Sequence, residues 1–295
     1  MPEAPHRSAC AFIVLAHRQP GQVLRLIRRL SPSPVFVHVD ARASAATYEP
    51  LLRAAEREKS FELLPRVRSG WGSWGIVAAA LGGLRAVRRL AADHVAILSG
   101  QDYPLVAVER IQGFSRQHPD LSFVATWPVP TPLWDRDGGA YRIRYWHQPV
   151  RGRRLFVPLP RRFPHGLTPF GGSLYCMLAR SAVDAVLELV ERRPDVVRFY
   201  RHAWIPDEMF IPTVLLNSLS PDRIINEHLW YMDWSGSDAR HPKLLVSEDA
   251  EALINTAGKE SDAGGPGRAK LFARKFAADV DRHVLDVLDQ HALRA

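Results

Sequence analysis

The chain is poor in cysteine, in lysine and in long hydrophobic runs. Only Cys10 and Cys176 occur in 295 residues, too few for a disulfide framework or a four-cysteine metal site. Cys176 sits inside the apolar run Leu174-Tyr175-Cys176-Met177-Leu178 and reads as a small buried hydrophobe. No apolar stretch approaches the ~18–20 residues that span a bilayer. Met1 to Cys10 carries no hydrophobic signal segment, so a reduced, cytoplasmic protein is expected, with membrane contact only through basic surface patches. Lysine supplies five of the 39 basic residues, against 31 acidic ones and a net charge of +8. That arginine-rich balance suits an anionic partner: a nucleotide, a lipid surface or a charged glycan. Nucleic acid is not expected, because the basic residues are scattered and no nucleic-acid module is recognisable. No Gly-x-x-x-x-Gly-Lys run occurs, and the P-loop and dinucleotide versions of an α/β sheet are disfavoured.

What is present is an alternation of apolar runs and helical patterns. Ala11 to Leu15 reads as a strand buried on both faces, and Val23, Leu24, Ile27 and Leu30 follow at helical spacing. Val35 to Val39 gives a second strand ending on Asp40. A polar helix, a weaker strand over Phe61–Val67, an alanine-rich helix up to Leu90 and a strand at His94–Leu98 come next. A helix near Val108–Gln117 and a strand at Ser122–Trp127 complete this half. Such alternation predicts right-handed βαβ units and a Rossmann-like, mostly parallel sheet flanked by helices. Ligands bind such sheets beyond the carboxyl ends of the strands. His17, Asp40, Trp71 and Asp102 all fall at or just after those ends.

From Pro128 to Pro169 prolines, arginines and aromatics crowd together, as in Tyr141-Arg142-Ile143-Arg144-Tyr145-Trp146. The stretch reads as a long surface excursion able to offer aromatic rings to an acceptor sugar. Beyond it, Trp204-Ile205-Pro206-Asp207-Glu208-Met209-Phe210 opens an apolar helix running to Asn217. Proline suits the first helical position, and carboxylates in the first turn are held ionised by the positive helix end. Glu208 is the candidate general base. Adjacent helical residues point about 100° apart, so Asp207 is left to cap the helix or to support the base. Two Asp-x-Asp pairs, Asp135–Asp137 and Asp279–Asp281, follow no core strand, and a metal role is not expected of them. One domain over 8–295 is expected, in three parts: 8–128, a variable 129–170, and 171–295.

Seven motifs can be set in register: Ala11–His17, Val37–Asp40, Trp71–Trp74, Ser99–Pro104, Gly171–Ser173, Pro206–Glu208 and Phe272–Phe276. Together they resemble the core-2/I-branching β-1,6-N-acetylglucosaminyltransferase family (glycosyltransferase family 14), which includes the peptide O-xylosyltransferases. The resemblance implies a GT-A-type α/β fold and an inverting transfer from a UDP-sugar to a glycan hydroxyl, with no divalent metal or other cofactor. It favours N-acetylglucosamine as the sugar, with xylose as the alternative. A non-catalytic glycan-binding protein keeping the fold is the reading from another class.

Position by position, the resemblance implies that Glu208 is the base. Ala16, His17, Asp40 and Trp71 match donor contacts, and Lys275 matches a diphosphate contact. A second such cation falls at Lys243, with Arg240 as alternate. Arg274 and Asp102 join the expected donor set, and the Gly264–Gly267 run would let a lid close. Trp127, Arg142, Tyr145, Trp230, Tyr231 and Trp234 are the expected acceptor contacts.

Overall fold

The computed structural model describes residues 8–150, 153–236, 241–258 and 269–293. Its first half follows the alternation. Strand β1 (Cys10–Ala16) leads to helix α1 (Pro20–Leu30), then β2 (Val35–Val39), α2 (Ala45–Glu58), β3 (Glu62–Leu63), α3 (Trp74–Arg88) and β4 (His94–Ser99). β2 and β4 are buried throughout and β1 nearly so, which is why they read as continuous apolar runs. Alternate residues of β1 point to opposite faces. Phe12 and Val14 join a core with α1, with Val108, Ile111 and Phe114 and with the C-terminal helix, while Ala11 and Ile13 join one with α3 and the later helices.

β5 (Asp102–Pro104), α4 (Val108–Gln117), β6 (Ser122–Phe123) and β7 (Thr126–Pro128) follow. Two short helices, α5 (Asp135–Gly138) and α6 (Tyr141–Arg144), precede a hairpin of β8 (Tyr145–Val150) and β9 (Arg153–Pro160). The rest comprises β10 (Phe170–Gly172), β11 (Met177–Ala179), α7 (Arg180–Arg192), α8 (Pro194–Tyr200), α9 (Phe210–Ser218), β12 (Ile224–Ile225) and β13 (Trp230–Met232). α10 (Ala250–Thr256), β14 (Phe272–Arg274) and α11 (His283–Ala292) close the chain.

The main sheet runs β12-β6-β11-β4-β1-β2-β3 and is parallel except at β11, which lies antiparallel to both neighbours. A smaller sheet, β13-β14-β5, joins the residues after β4 to the tail. Register decides where the strand ends fall. Ala16 lies beside Val39, and Leu15 beside Ser99, so β1, β2 and β4 end level. His17, Asp40 and Gly100 therefore emerge at one edge, as the α/β rule requires.

Three local expectations change. The strand expected over Phe61–Val67 shrinks to Glu62–Leu63, because Pro65 cannot donate to a ladder. The expected Ser122–Trp127 strand breaks in two: Phe123 pairs with β11 and β12, while Thr126–Pro128 turns to β10. The excursion after Pro128 also has regular structure, including the two-stranded hairpin. Among the described residues no helix is long and apolar enough to cross a membrane.

Candidate active site

Asp40 organises the edge beyond β2. Its carboxylate is almost fully buried and accepts the Arg42 N–H at 2.9 Å, the Ser69 N–H at 3.2 Å and the Arg42 guanidinium at 2.9 Å. Burial opposes its charge, but the hydrogen bonds from Arg42 and Ser69 outweigh it and hold the carboxyl below its usual range. The Ser69 bond ties the segment leading to Trp71 down to the strand end. Trp71 itself is exposed, its indole edge-on to Trp204 at 5.1 Å and to His241 at 6.1 Å. His17 is also exposed at this edge. Partial burial and the neighbouring Arg18 lower its pKa, and the charges of Asp40, Arg42 and Arg274 reach it.

Beyond β4, Asp102 is fully buried, and its place is structural rather than on the donor. It accepts Ser99 N–H at 2.9 Å, Ser99 Oγ–H at 2.8 Å, Trp230 Nε1–H at 3.2 Å and Arg274 Nη1–H at 2.7 Å. The expectation that it touches the donor is thereby corrected, since no oxygen is left facing outward. Trp230 is corrected too. It is stacked on Phe272 at 4.7 Å and fully buried, so it offers no face to an acceptor. Arg274 is held between this carboxylate and the Tyr175 ring, 4.1 Å from its centroid.

Glu208 occupies a 3-10 turn, Pro206–Glu208, rather than the first turn of a continuous helix. Met209 breaks the helical path at φ −130°, and α9 starts at Phe210. Ile205, just before the proline, has φ 49°, a left-handed conformation that β-branched residues rarely adopt. It is held there by its N–H to Gly72 O at 3.3 Å. Gly72, at φ 68°, lies so close to the Trp204 ring that a Cβ would come within 2.9 Å. The turn carrying Glu208 is thus clasped to the turn carrying Trp71.

The Glu208 carboxylate is part exposed, and its Oε2 accepts Arg142 Nη1–H at 2.5 Å. Arg142 is buried, with its guanidinium 3.7 Å from the Trp134 ring centroid. Its guanidinium is held by the base and by Trp134. Trp134 meets Trp127 edge-on at 5.5 Å, and Trp127 Nε1 is a buried donor with no partner among the described residues. Asp207 Oδ1 is likewise buried and unpartnered. Burial, then the charge of Glu208, pushes the Asp207 carboxyl up to about 7. Tyr175 lies between the two acidic groups: burial raises its hydroxyl to about 12, and Asp102, Asp207 and Glu208 all act on it.

The remaining expected residues scatter more. Lys243 Nζ donates to Asp249 at 2.7 Å and lies 3.8 Å from Asp233. Lys275 is half-buried directly after β14, and its carbonyl accepts Leu245 N–H at 2.9 Å. That bond joins the two stretches carrying the lysines. Ala16 is buried in β1, and Tyr231 is half-buried. Trp234 is exposed, and Tyr145 packs on Phe156 at 5.2 Å in the hairpin. Arg240 and Gly264–Gly267 lie outside the described residues.

One carboxylate of each Asp-x-Asp pair has a local job. Asp137 Oδ1 accepts Tyr141 N–H at 2.9 Å, and Asp281 Oδ1 accepts His283 N–H at 2.8 Å at the start of α11. Among the described residues no group of three His, Cys, Asp or Glu side chains could hold a metal ion.

Tyr175, Arg42 and Trp204 belong to this constellation, and the sequence alone assigns them no part in it. Tyr175 looks like one more member of an apolar run. Gly70, Gly72 and Gly75 keep the Gly-x-Gly-x-x-Gly spacing, so the chain does hold one such run. It follows no strand directly, and a Cβ on Gly75 would meet Arg68 O at 1.8 Å, so close packing at the start of α3 accounts for it.

The arrangement is that of an α/β protein whose charged and aromatic residues gather at the carboxyl edge of a mostly parallel sheet. The chain belongs to the Core-2/I-branching enzyme family, whose model matches residues 10–255. It is similar to xylosyltransferase 2 of Homo sapiens, 24% identical over 301 residues that cover 95% of this chain and 33% of that protein. It is also similar to xylosyltransferase 1 of Homo sapiens, 24% identical over 311 residues, covering 99% of this chain and 31% of that one. The chain thus spans about one third of the length of these relatives. A weaker likeness, at 14% identity and a TM-score of 0.34, is to the mannosyltransferase PcManGT from Pyrobaculum calidifontis in complex with GDP-Man and Mn2+. It covers 61% of this chain and 48% of that one.

Proposed function

We propose that the chain is a glycosyltransferase of GT-A type that moves a sugar from a UDP-sugar to a glycan hydroxyl with inversion. The observation that carries this reading is the part-exposed Glu208 carboxylate, with one oxygen taken by a buried arginine and the other without a hydrogen bond among the described residues. Glu208 Oε1 takes the proton of the acceptor hydroxyl while that oxygen attacks the anomeric carbon. The bond from that carbon to the UDP oxygen breaks, and its electron pair leaves on the diphosphate. Arg274, Lys275 and Lys243 offset the charge that develops there. Asp40, His17 and Trp71 hold the uridine, and the Trp127–Trp134 corner offers aromatic surface to the acceptor.

The xylosyltransferase names of the relatives favour UDP-xylose as donor. UDP-N-acetylglucosamine is kept as the second reading on the family's branching-enzyme description. The reading includes no divalent metal: Arg274, Lys275 and Lys243 would offset the leaving charge instead, and one carboxylate of each Asp-x-Asp pair, Asp137 and Asp281, accepts a backbone N–H at a helix start.

A panel of UDP-sugars with excess chelator, read by UDP release, tests all of this. Transfer from one donor that survives chelator and is lost in Glu208→Gln supports it. Loss on chelation with recovery on manganese refutes the metal-free part. UDP-sugar binding without turnover by the intact chain leaves a glycan-binding protein instead.

A further inference from the structure

We propose that a cleft between α3 and the α7–α8 pair binds a small phosphate ester carried on an apolar ring. Trp74, Ala78, Leu81 and Arg85 recur at helical spacing along one face of α3 and form one wall. Val190 of α7, Val197 and Arg198 of α8, and Arg201 just after it form the other, around a volume of about 380 Å³. The first observation is one of charge. Arg85, Arg198 and Arg201 line this cleft and are exposed, and their guanidiniums have no hydrogen bond or ion pair among the described residues. The carboxylates of the same helices are engaged elsewhere. Asp184 is with Arg88 and Arg180, Glu188 with Arg192, Glu191 with Arg88, and Asp195 with Arg193. Three like charges brought together without a counter-charge repel one another, and an anion entering between them is attracted by all three.

The second observation is one of shape. Leu81 is buried and Trp74, Val190 and Val197 are half-buried, whereas the three arginines are exposed, so the apolar part is recessed and the charge stands at the rim. A membrane surface takes apolar side chains that protrude, and these do not. A recessed apolar floor takes a ring that enters, and the volume falls in the range of small-ligand sites. Guanidiniums grip phosphate with paired N–H bonds, and three of them match a phosphate dianion better than a single carboxylate. Ring and phosphate together define the occupant.

None of the residues expected at the donor lines this cleft. Trp74 meets Phe210 edge-on at 5.1 Å, and Phe210 opens the helix that follows the Glu208 turn. A ligand here would bear on the turn carrying the candidate base; that consequence rests on the transferase reading, whereas binding does not.

Calorimetric titration of the intact chain with naphthyl phosphate and with inorganic phosphate tests it. The expected result is tighter binding of the naphthyl ester. The double variant Arg198→Gln/Arg201→Gln should bind the ester about tenfold more weakly or worse, with an unchanged melting temperature. Ala78→Leu fills the floor and keeps all three charges, so it should lose the preference for the ester over inorganic phosphate. An ester that does not bind at millimolar concentration overturns the proposal, and so does a double variant that binds it like the wild type. Inorganic phosphate binding as tightly as the ester, or a preference that survives in Ala78→Leu, overturns it as well. Because heat is read without turnover, a failure here is separable from a failure of the transferase reading.

Discussion

Arg142 sets its guanidinium 2.5 Å from Glu208 and 3.7 Å from the Trp134 ring, reaching 66 positions along the chain to the carboxylate. One side of the guanidinium thus fixes the carboxylate and one face is fixed by the indole. The orientation of the base depends on the excursion after Pro128, which the sequence presents as a surface for the acceptor.

Glu208→Gln removes the proton acceptor and keeps the shape. Turnover should fall about 10²–10⁴-fold while binding of the UDP-sugar is retained. Arg142→Lys keeps a charge but loses the planar fork and the stacking on Trp134. It should lower kcat about tenfold or more with little change in KM for the donor. Steady-state rates with calorimetric donor binding check both. Full activity in Glu208→Gln excludes it as the base.

Asp207 makes stability depend on pH. Its folded-state pKa of about 7 lies above the ordinary 3.8, so the folded chain binds the proton more tightly than the unfolded one. The stability that this proton lends is complete below about pH 4 and is lost as pH rises through 7. Asp207→Asn carries no such penalty. Its stability should draw ahead of wild type between pH 4 and 7 and hold a constant lead above, on the order of 2–4 kcal/mol, read as a rising melting temperature. Parallel melting curves for the two proteins across that range would remove the assignment.

The sheet was legible because β1, β2 and β4 are buried on both faces and cannot alternate. Strand ends then located His17 and Asp40 without any contact being known, whereas Trp71 lies well beyond the end of β3 and the segment before it is tied to the edge by the Ser69–Asp40 bond. What the sequence hid were contacts between distant stretches. Asp102 stands at a strand end like Asp40, yet β14 folds over it and delivers Arg274, while Trp230 closes the other side. Nothing local separates the two aspartates. The 3-10 turn at Pro206–Glu208 was hidden for a similar reason: Gly72 and Trp204 impose it from outside the segment.

Trp71 should act on the donor rather than on the fold. It is 55% exposed, and its ring contacts are with Trp204 and His241 only among the described aromatics. Stacking of an aromatic ring on a base is worth about 1–3 kcal/mol. Trp71→Ala should therefore weaken UDP binding roughly 5–100-fold with the melting temperature nearly unchanged, and Trp71→Phe should recover most of the affinity. Unaltered UDP binding by the alanine variant would move the uridine elsewhere.

Asp102 should act on the fold. Its four hydrogen bonds join the end of β4, the side chain of β13 and the last residue of β14. Asp102→Asn leaves Arg274 as a buried cation without its counter-charge, and breaking such a pair costs about 3–5 kcal/mol. In a chain of this size that corresponds to a fall in melting temperature of roughly 10 °C. Ser99→Ala deletes one neutral donor from the same carboxylate and should cost only about 1 kcal/mol. Thermal melts of the two variants separate the readings. An Asp102→Asn protein that melts like wild type but no longer binds UDP would return Asp102 to the donor site and remove the structural role derived from its burial.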